Sequence, residues 1–241
     1  MAAREPPTPK AKRFYRDVTV DEVDGNYRIL LDQRPVRTPL HRLLEAPSLQ
    51  FAEAIGAEWR GQGVEIDPAT MPLTRLMATA LDRVGPERAA ITDALLAYVD
   101  TDLLCYRASA PEALKSRQRI LWQPVLDWLA AAHGIDLVVT EGIVPVEQPR
   151  TAVVAAQTVL SRLSVNRMTA VQAAIGATGS FALGVALVHG RISPAEAVAA
   201  AHLDETYQNE QWGEDAEAVH RRQRIAAEIE AVGRYLSLLG S

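Results

Sequence analysis

The chain of 241 residues holds a single cysteine, Cys105. No intrachain disulfide can form and no cysteine-rich metal site can be built, which fits a reducing compartment. Basic charge is also short: 25 Lys and Arg stand against 30 Asp and Glu, a net charge of −5. A mainly electrostatic nucleic-acid binder needs a basic footprint, so no nucleic-acid partner is expected. The common catalytic signatures are missing. There is no Gly-rich loop leading into Lys and Ser/Thr, no dinucleotide fingerprint, no Gly-x-Ser-x-Gly elbow and no histidine pair at metalloprotease spacing. Internal repeats and low-complexity tracts are absent as well.

Met1 to Lys12 carries Pro and Lys but no apolar run, so it is not a secretory signal and reads as a short disordered tail, residues 1–12. Charge is absent from Met168 to His189, long enough to raise a membrane span. Yet Ala170 to Val188 contains six Ala, three Gly, Gln172, Thr178 and Ser180. That composition is too weakly apolar for insertion. The expectation is a buried central helix and no stable membrane insertion.

What is present is a core-forming chain with 48% apolar residues. Val18 to Val23 and Tyr27 to Leu31 alternate around Asp24-Gly25-Asn26, a hairpin signal. Pro35 and Pro39 confine Val36 to Thr38 to a sheet edge. Ser48 caps a helix to Arg60 in which Phe51, Ile55 and Trp59 form one stripe, so Trp59 reads as a structural, core-facing residue. Further helices are expected from Pro72 to Arg83, from Pro86 to Val99 and from Pro111, the last broken or kinked at Pro124. Short strands are expected at Val64 to Ile66, Leu103 to Tyr106 and Ile135 to Thr140. Cys105, inside one of them, reads as a buried inert thiol. After the Pro-rich connection Val144 to Pro149 the pattern is helical to the end. The fold class is therefore α+β: an N-terminal strand and helix domain over 13–148, then an all-helical domain over 149–241.

One stretch stands apart. Leu203 to Glu217 holds six carboxylates, two aromatics and no basic residue, and the basic run His220 to Arg224 follows it. Two readings stay open. Glu210, Glu214 and Glu217 could pair with Arg221 and Arg224 as exposed ion pairs. Alternatively the stretch is an acidic docking surface with Trp212 as its anchor. Glu217-Ala218-Val219-His220 matches one half of a di-iron helix motif, but its second pair is missing. His202 beside Asp204 and Glu205 points in different directions on a helix. No metal is expected, and an enzyme with a carboxylate or metal site at 202–220 is the alternative reading.

Several segments in order resemble a known family: Asp32 to Pro39, Glu58-Trp59, Asp67 to Leu76, Thr101 to Arg107 and Gln211 to Glu217. Together they are similar to the assembly chaperone for the alpha subunit of the F-type ATP synthase catalytic head, known from mitochondria and alphaproteobacteria. The resemblance spans about Arg13 to Arg222. It implies an N-terminal α+β domain and a C-terminal helical domain. It implies ATP-independent binding of unassembled alpha subunit until beta subunit replaces the chaperone, with no catalysis, cofactor or small-molecule substrate. It also implies a functionally important acidic position before the Trp-Gly pair, here Asp204 or Glu205, with Glu205 preferred. A sensitive N-terminal Trp corresponds to Trp59. The partner-binding set is then Asp204, Glu205, Glu210, Trp212 and Glu214. A chain that starts almost at its first domain suggests a bacterial cytoplasmic member; a eukaryotic one would sit in the mitochondrial matrix.

Overall fold

A computed structural model describes residues 11–142, 144–213 and 215–240. Two compact units emerge, one ending at Asp82 and the other beginning at Arg83.

The first unit is built on a hairpin. β1 (Val18–Val23) and β2 (Asn26–Leu31) pair antiparallel from Val18 opposite Leu31 to Val23 opposite Asn26. Asp24 and Gly25, both at positive φ, supply the two-residue turn whose twist matches the strands. β3 (Arg34–Pro35) joins the end of β2 at Leu30 and Leu31, and β4 (Glu45–Ala46) joins its start at Tyr27 and Arg28. α1 (Leu49–Arg60) packs on this sheet. Ser48 caps it by accepting from the Phe51 N–H, and Phe51 and Ile55 are fully buried. Val64 to Ile66 forms no named strand. Instead Lys12 bridges to Glu65 and the Ile66 N–H donates to the Ala11 carbonyl, so the ordered chain already includes residues 11 and 12 of the expected tail.

Glu58 of α1 reaches to the start of α2 (Pro72–Thr79), where it accepts from the Leu73 and Thr74 N–H groups at 2.7 and 2.8 Å. Met71 provides no side-chain cap there, so a carboxylate from another helix satisfies the free amides and meets the positive end of the helix dipole. A π-helical turn, Ala80–Val84, follows.

The second unit surrounds α7 (Phe181–Val188), all eight of whose residues are buried. Against it pack α3 (Arg88–Asp100), α4 (Glu112–His133), α6 (Val165–Thr178), α8 (Pro194–Ala201) and α10 (Ala216–Leu239), while α5 (Arg150–Arg162) lies on α3. The helices α3 and α4, which the sequence reading placed before the domain boundary, thus belong to this unit, and Val144 to Pro149 lies inside it.

Four local expectations are corrected. The uncharged segment is two helices: Gly179 at φ +68° ends α6, and Ser180 caps α7 by accepting from the Leu183 N–H. Of the break or kink expected at Pro124, the break does not occur, since α4 runs on through it. The carbonyl that the proline deprives of a donor is that of Ile120, a residue 67% exposed, where water can take the place of the missing N–H. Leu103–Cys105 is a 3-10 turn, because the Asp102 carboxylate accepts from the Leu104 N–H and curls the chain. Ile135 to Thr140 is extended but pairs only at its end, where β5 (Tyr106–Arg107) and β6 (Thr140–Glu141) run parallel. At Val138 the side-chain amide of Gln148 takes both the N–H and the carbonyl, standing in for a neighbouring strand. Among the described residues no helix is long and apolar enough to cross a membrane.

Candidate partner-docking site

The acidic stretch folds as α9 (Leu203–Trp212), separated from α8 by the non-helical backbone of His202. Gly213 at φ +88° ends it, and Asp215 starts α10 by accepting from the Ala218 N–H. Asp204 and Glu205 lie in the first turn of α9, where the exposed amides of a helix start favour negative charge.

Partners for three of the carboxylates come from distant elements. The amide of Gln118, a fully buried α4 residue, donates to Asp204 at 2.7 Å while its oxygen accepts from the Ala108 N–H. Arg117, one residue earlier, pairs with Glu210 at 2.8 Å and stacks over the Tyr207 ring with its carbon 5.1 Å from the centroid. Arg221 of α10 pairs with Glu205 at 2.7 Å. One turn along α4, the Trp122 indole donates to the Ala200 carbonyl at 2.9 Å and anchors α8 beside α9. Arg107 lies over that indole, 5.2 Å from its centroid. Burial lowers the Arg107 pKa, opposed by the negative charge of Asp204. Of the acids that could have paired with Arg221 or Arg224, Glu210 pairs with Arg117 instead, and Arg221 pairs with Glu205.

His202 Nδ1 lies 3.7 Å from Glu205, and burial, the largest influence, holds the imidazole below its ordinary pKa. Among the described residues no group of three or more His, Cys, Asp or Glu is placed to hold a metal ion. Cys105 is buried, and burial followed by the Asp102 charge pushes its thiol up to about 12, far from a reactive thiolate.

Trp212 is the outlier of the stretch: it closes α9 with its side chain 79% exposed. Glu214 lies outside the described residues. Trp59 belongs to the other unit and is half-buried, its ring 5.7 Å from that of Tyr15, whose hydroxyl donates to the Trp59 carbonyl. Arg117 and Gln118 escaped the sequence reading, since nothing periodic links a residue of α4 to one 86 or 93 positions later.

Fold and surface together define an α+β protein with a helical second unit and an acidic helix that ends in an uncovered indole. The chain belongs to the ATP12 chaperone family. The family model for the ATP12 chaperone protein matches residues 12–130. The crystal structure of Atp12 from Paracoccus denitrificans is similar at 37% identity and a TM-score of 0.88, over 95% of this chain and 98% of that one. The Atu1473 protein from Agrobacterium tumefaciens is similar at 40% identity and a TM-score of 0.88, over 95% of this chain and 86% of that one. Mitochondrial atp12 of Schizosaccharomyces pombe is 23% identical over 227 residues, 88% of this chain and 78% of that protein.

Proposed function

We propose that this protein binds the unassembled alpha subunit of the F-type ATP synthase, without ATP, and shields it from aggregation until beta subunit takes its place. An orphan subunit exposes an apolar interface that is an aggregation hazard. A transient cap must cover that interface and still yield to the larger native contact. The observation that carries the docking surface is Trp212, a large apolar side chain 79% exposed at the end of an acidic helix. Aromatic anchors of this kind carry a large share of binding energy, and a charged surround steers encounter. Asp204, Glu205 and Glu210, all on the same helix, are taken as that surround. The ion pairs of Glu205 and Glu210 are partly exposed, so exchanging Arg221 or Arg117 for a basic group on the partner costs little. Trp59 keeps a folding role within the first unit. The function is binding without catalysis, in the cytoplasm of a bacterium or the matrix of a mitochondrion.

Mixing the protein with freshly made alpha subunit, and separately with beta subunit, tests the proposal by size-exclusion chromatography. Co-elution with alpha and not with beta is expected. Absence of a complex with soluble alpha removes the alpha-subunit reading.

A further inference from the structure

The first unit contains a groove of about 450 Å3 whose lining residues all belong to that unit. Leu44, Ile66, Met71, Ala78 and Trp59 supply apolar wall. This volume falls in the range of roughly 300–1,000 Å3 typical of binding pockets. The Trp59 indole N–H is buried and has no hydrogen-bond partner. Such a donor loses its bond to water on folding and gains nothing in return, a local cost carried by an indole that lines this groove. Arg37, His41 and Arg75 also line the groove, and among the described residues no carboxylate does. Acids near its lining residues in the chain are engaged: Asp67, between Ile66 and Pro68, accepts from the Ala69 N–H at 3.1 Å. Glu58 is taken by the start of α2, and Asp82 accepts from the Thr38 hydroxyl at 2.6 Å and the Leu40 N–H at 2.9 Å. The exposed Arg75 guanidinium makes no ion pair among the described residues.

We propose that this groove receives an apolar side chain from an extended acidic segment of a client polypeptide. The apolar side chain fills the space beside Trp59, and flanking carboxylates meet Arg37 and Arg75. The inference rests on the chaperone reading for the nature of the client, but the groove is separate from the acidic helix and supplies the opposite charge preference. A client would then be held at an acid-preferring groove on one unit and a base-preferring face on the other.

The probe is a dodecapeptide with one central leucine between two glutamates in a Gly-Ser background, compared with a twin carrying lysines in place of the glutamates. The full chain has four tryptophans, so its NMR spectrum offers four indole N–H signals, and Trp59→Phe assigns one. The glutamate peptide is expected to move the Trp59 signal and leave the other three. Arg75→Glu, an exposed change, is expected to weaken that binding about tenfold when combined with Arg37→Glu, and several-fold alone, with the lysine twin now preferred. Ala78→Leu fills the groove and is expected to abolish the shift, with the unfolding midpoint checked to show that the unit is intact. No shift of the Trp59 signal at millimolar peptide, or equal effects of the two peptides, overturns the proposal. Parallel titration of alpha subunit separates the two readings. Alpha binding without the peptide shift removes the groove and leaves the alpha reading; the peptide shift without alpha binding does the reverse.

Discussion

Asp102 is fully buried, and burial pushes its carboxyl up to about 6 from an ordinary 3.8. The rise is limited because the group accepts from the Leu104 and Ala182 N–H groups and from the Ser180 hydroxyl. A carboxyl whose pKa is raised by folding stabilises the fold fully below its unfolded pKa and loses that contribution as pH rises through the folded value. For Asp102 the window runs from about pH 4 to pH 6. Asp102→Asn removes the titration but turns an NH2 toward a backbone N–H, since both carboxylate oxygens are acceptors here. Urea unfolding of both proteins is therefore expected to show the variant less stable at both ends of the window. The gap should widen on going from pH 7.5 to pH 4.5, by on the order of 2 kcal/mol. A constant gap would mean the carboxyl is ionised at no cost in the fold, and a gap that narrows toward acid would mean the fold favours its ionised form.

Elements coded by neighbours in the chain were legible in the sequence. Ser48, the Phe51 and Ile55 spacing and Gly61 mark α1, and Asp24-Gly25 marks the first hairpin, because each signal acts within a few residues. Elements decided by tertiary context were not. Unbroken apolarity hid the division of α6 from α7 at Gly179 and Ser180, and the side chain of Gln148 withholds Val138 from a strand. Small residues recur along the α6 and α7 segment, Ala173, Gly176, Ala177, Ser180 and Gly184, and they fall on both sides of that division. A Cβ on Gly184 would collide with the Ile175 side chain, whereas one on Gly176 meets nothing within 4 Å. Opposite outcomes are expected. Gly184→Ala overpacks the contact of α6 with α7 and costs about 1–3 kcal/mol. Gly176→Ala, exposed within a helix, stabilises by about 0.5–1 kcal/mol. Denaturant midpoints of the two variants decide it, and two shifts of the same sign would mean that α6 and α7 are not in close approach.

For the whole molecule the open contest is between an acidic face that packs and one that docks. The sequence exposed the cluster but not its internal partners, since Gln118 and Arg117 meet it only after folding brings α4 to α9. Those partners rank the tests. Asp204 is half-buried against a fully buried amide, so Asp204→Lys disrupts packing whatever the surface does. Glu210 is exposed, and Glu210→Lys removes an ion pair worth at most about 1 kcal/mol. Trp212→Ala, at a side chain 79% exposed, is expected to change stability by less than about 0.5 kcal/mol. If the face docks, Trp212→Ala weakens the complex with alpha subunit at least about tenfold, and Glu210→Lys weakens it with a steeper loss at low salt, where charge steering matters most. Thermal unfolding of each variant alongside titration with alpha subunit separates the cases. Loss of alpha binding confined to Asp204→Lys, together with a lowered midpoint, would show that the acidic helix serves the fold and that the partner is held elsewhere.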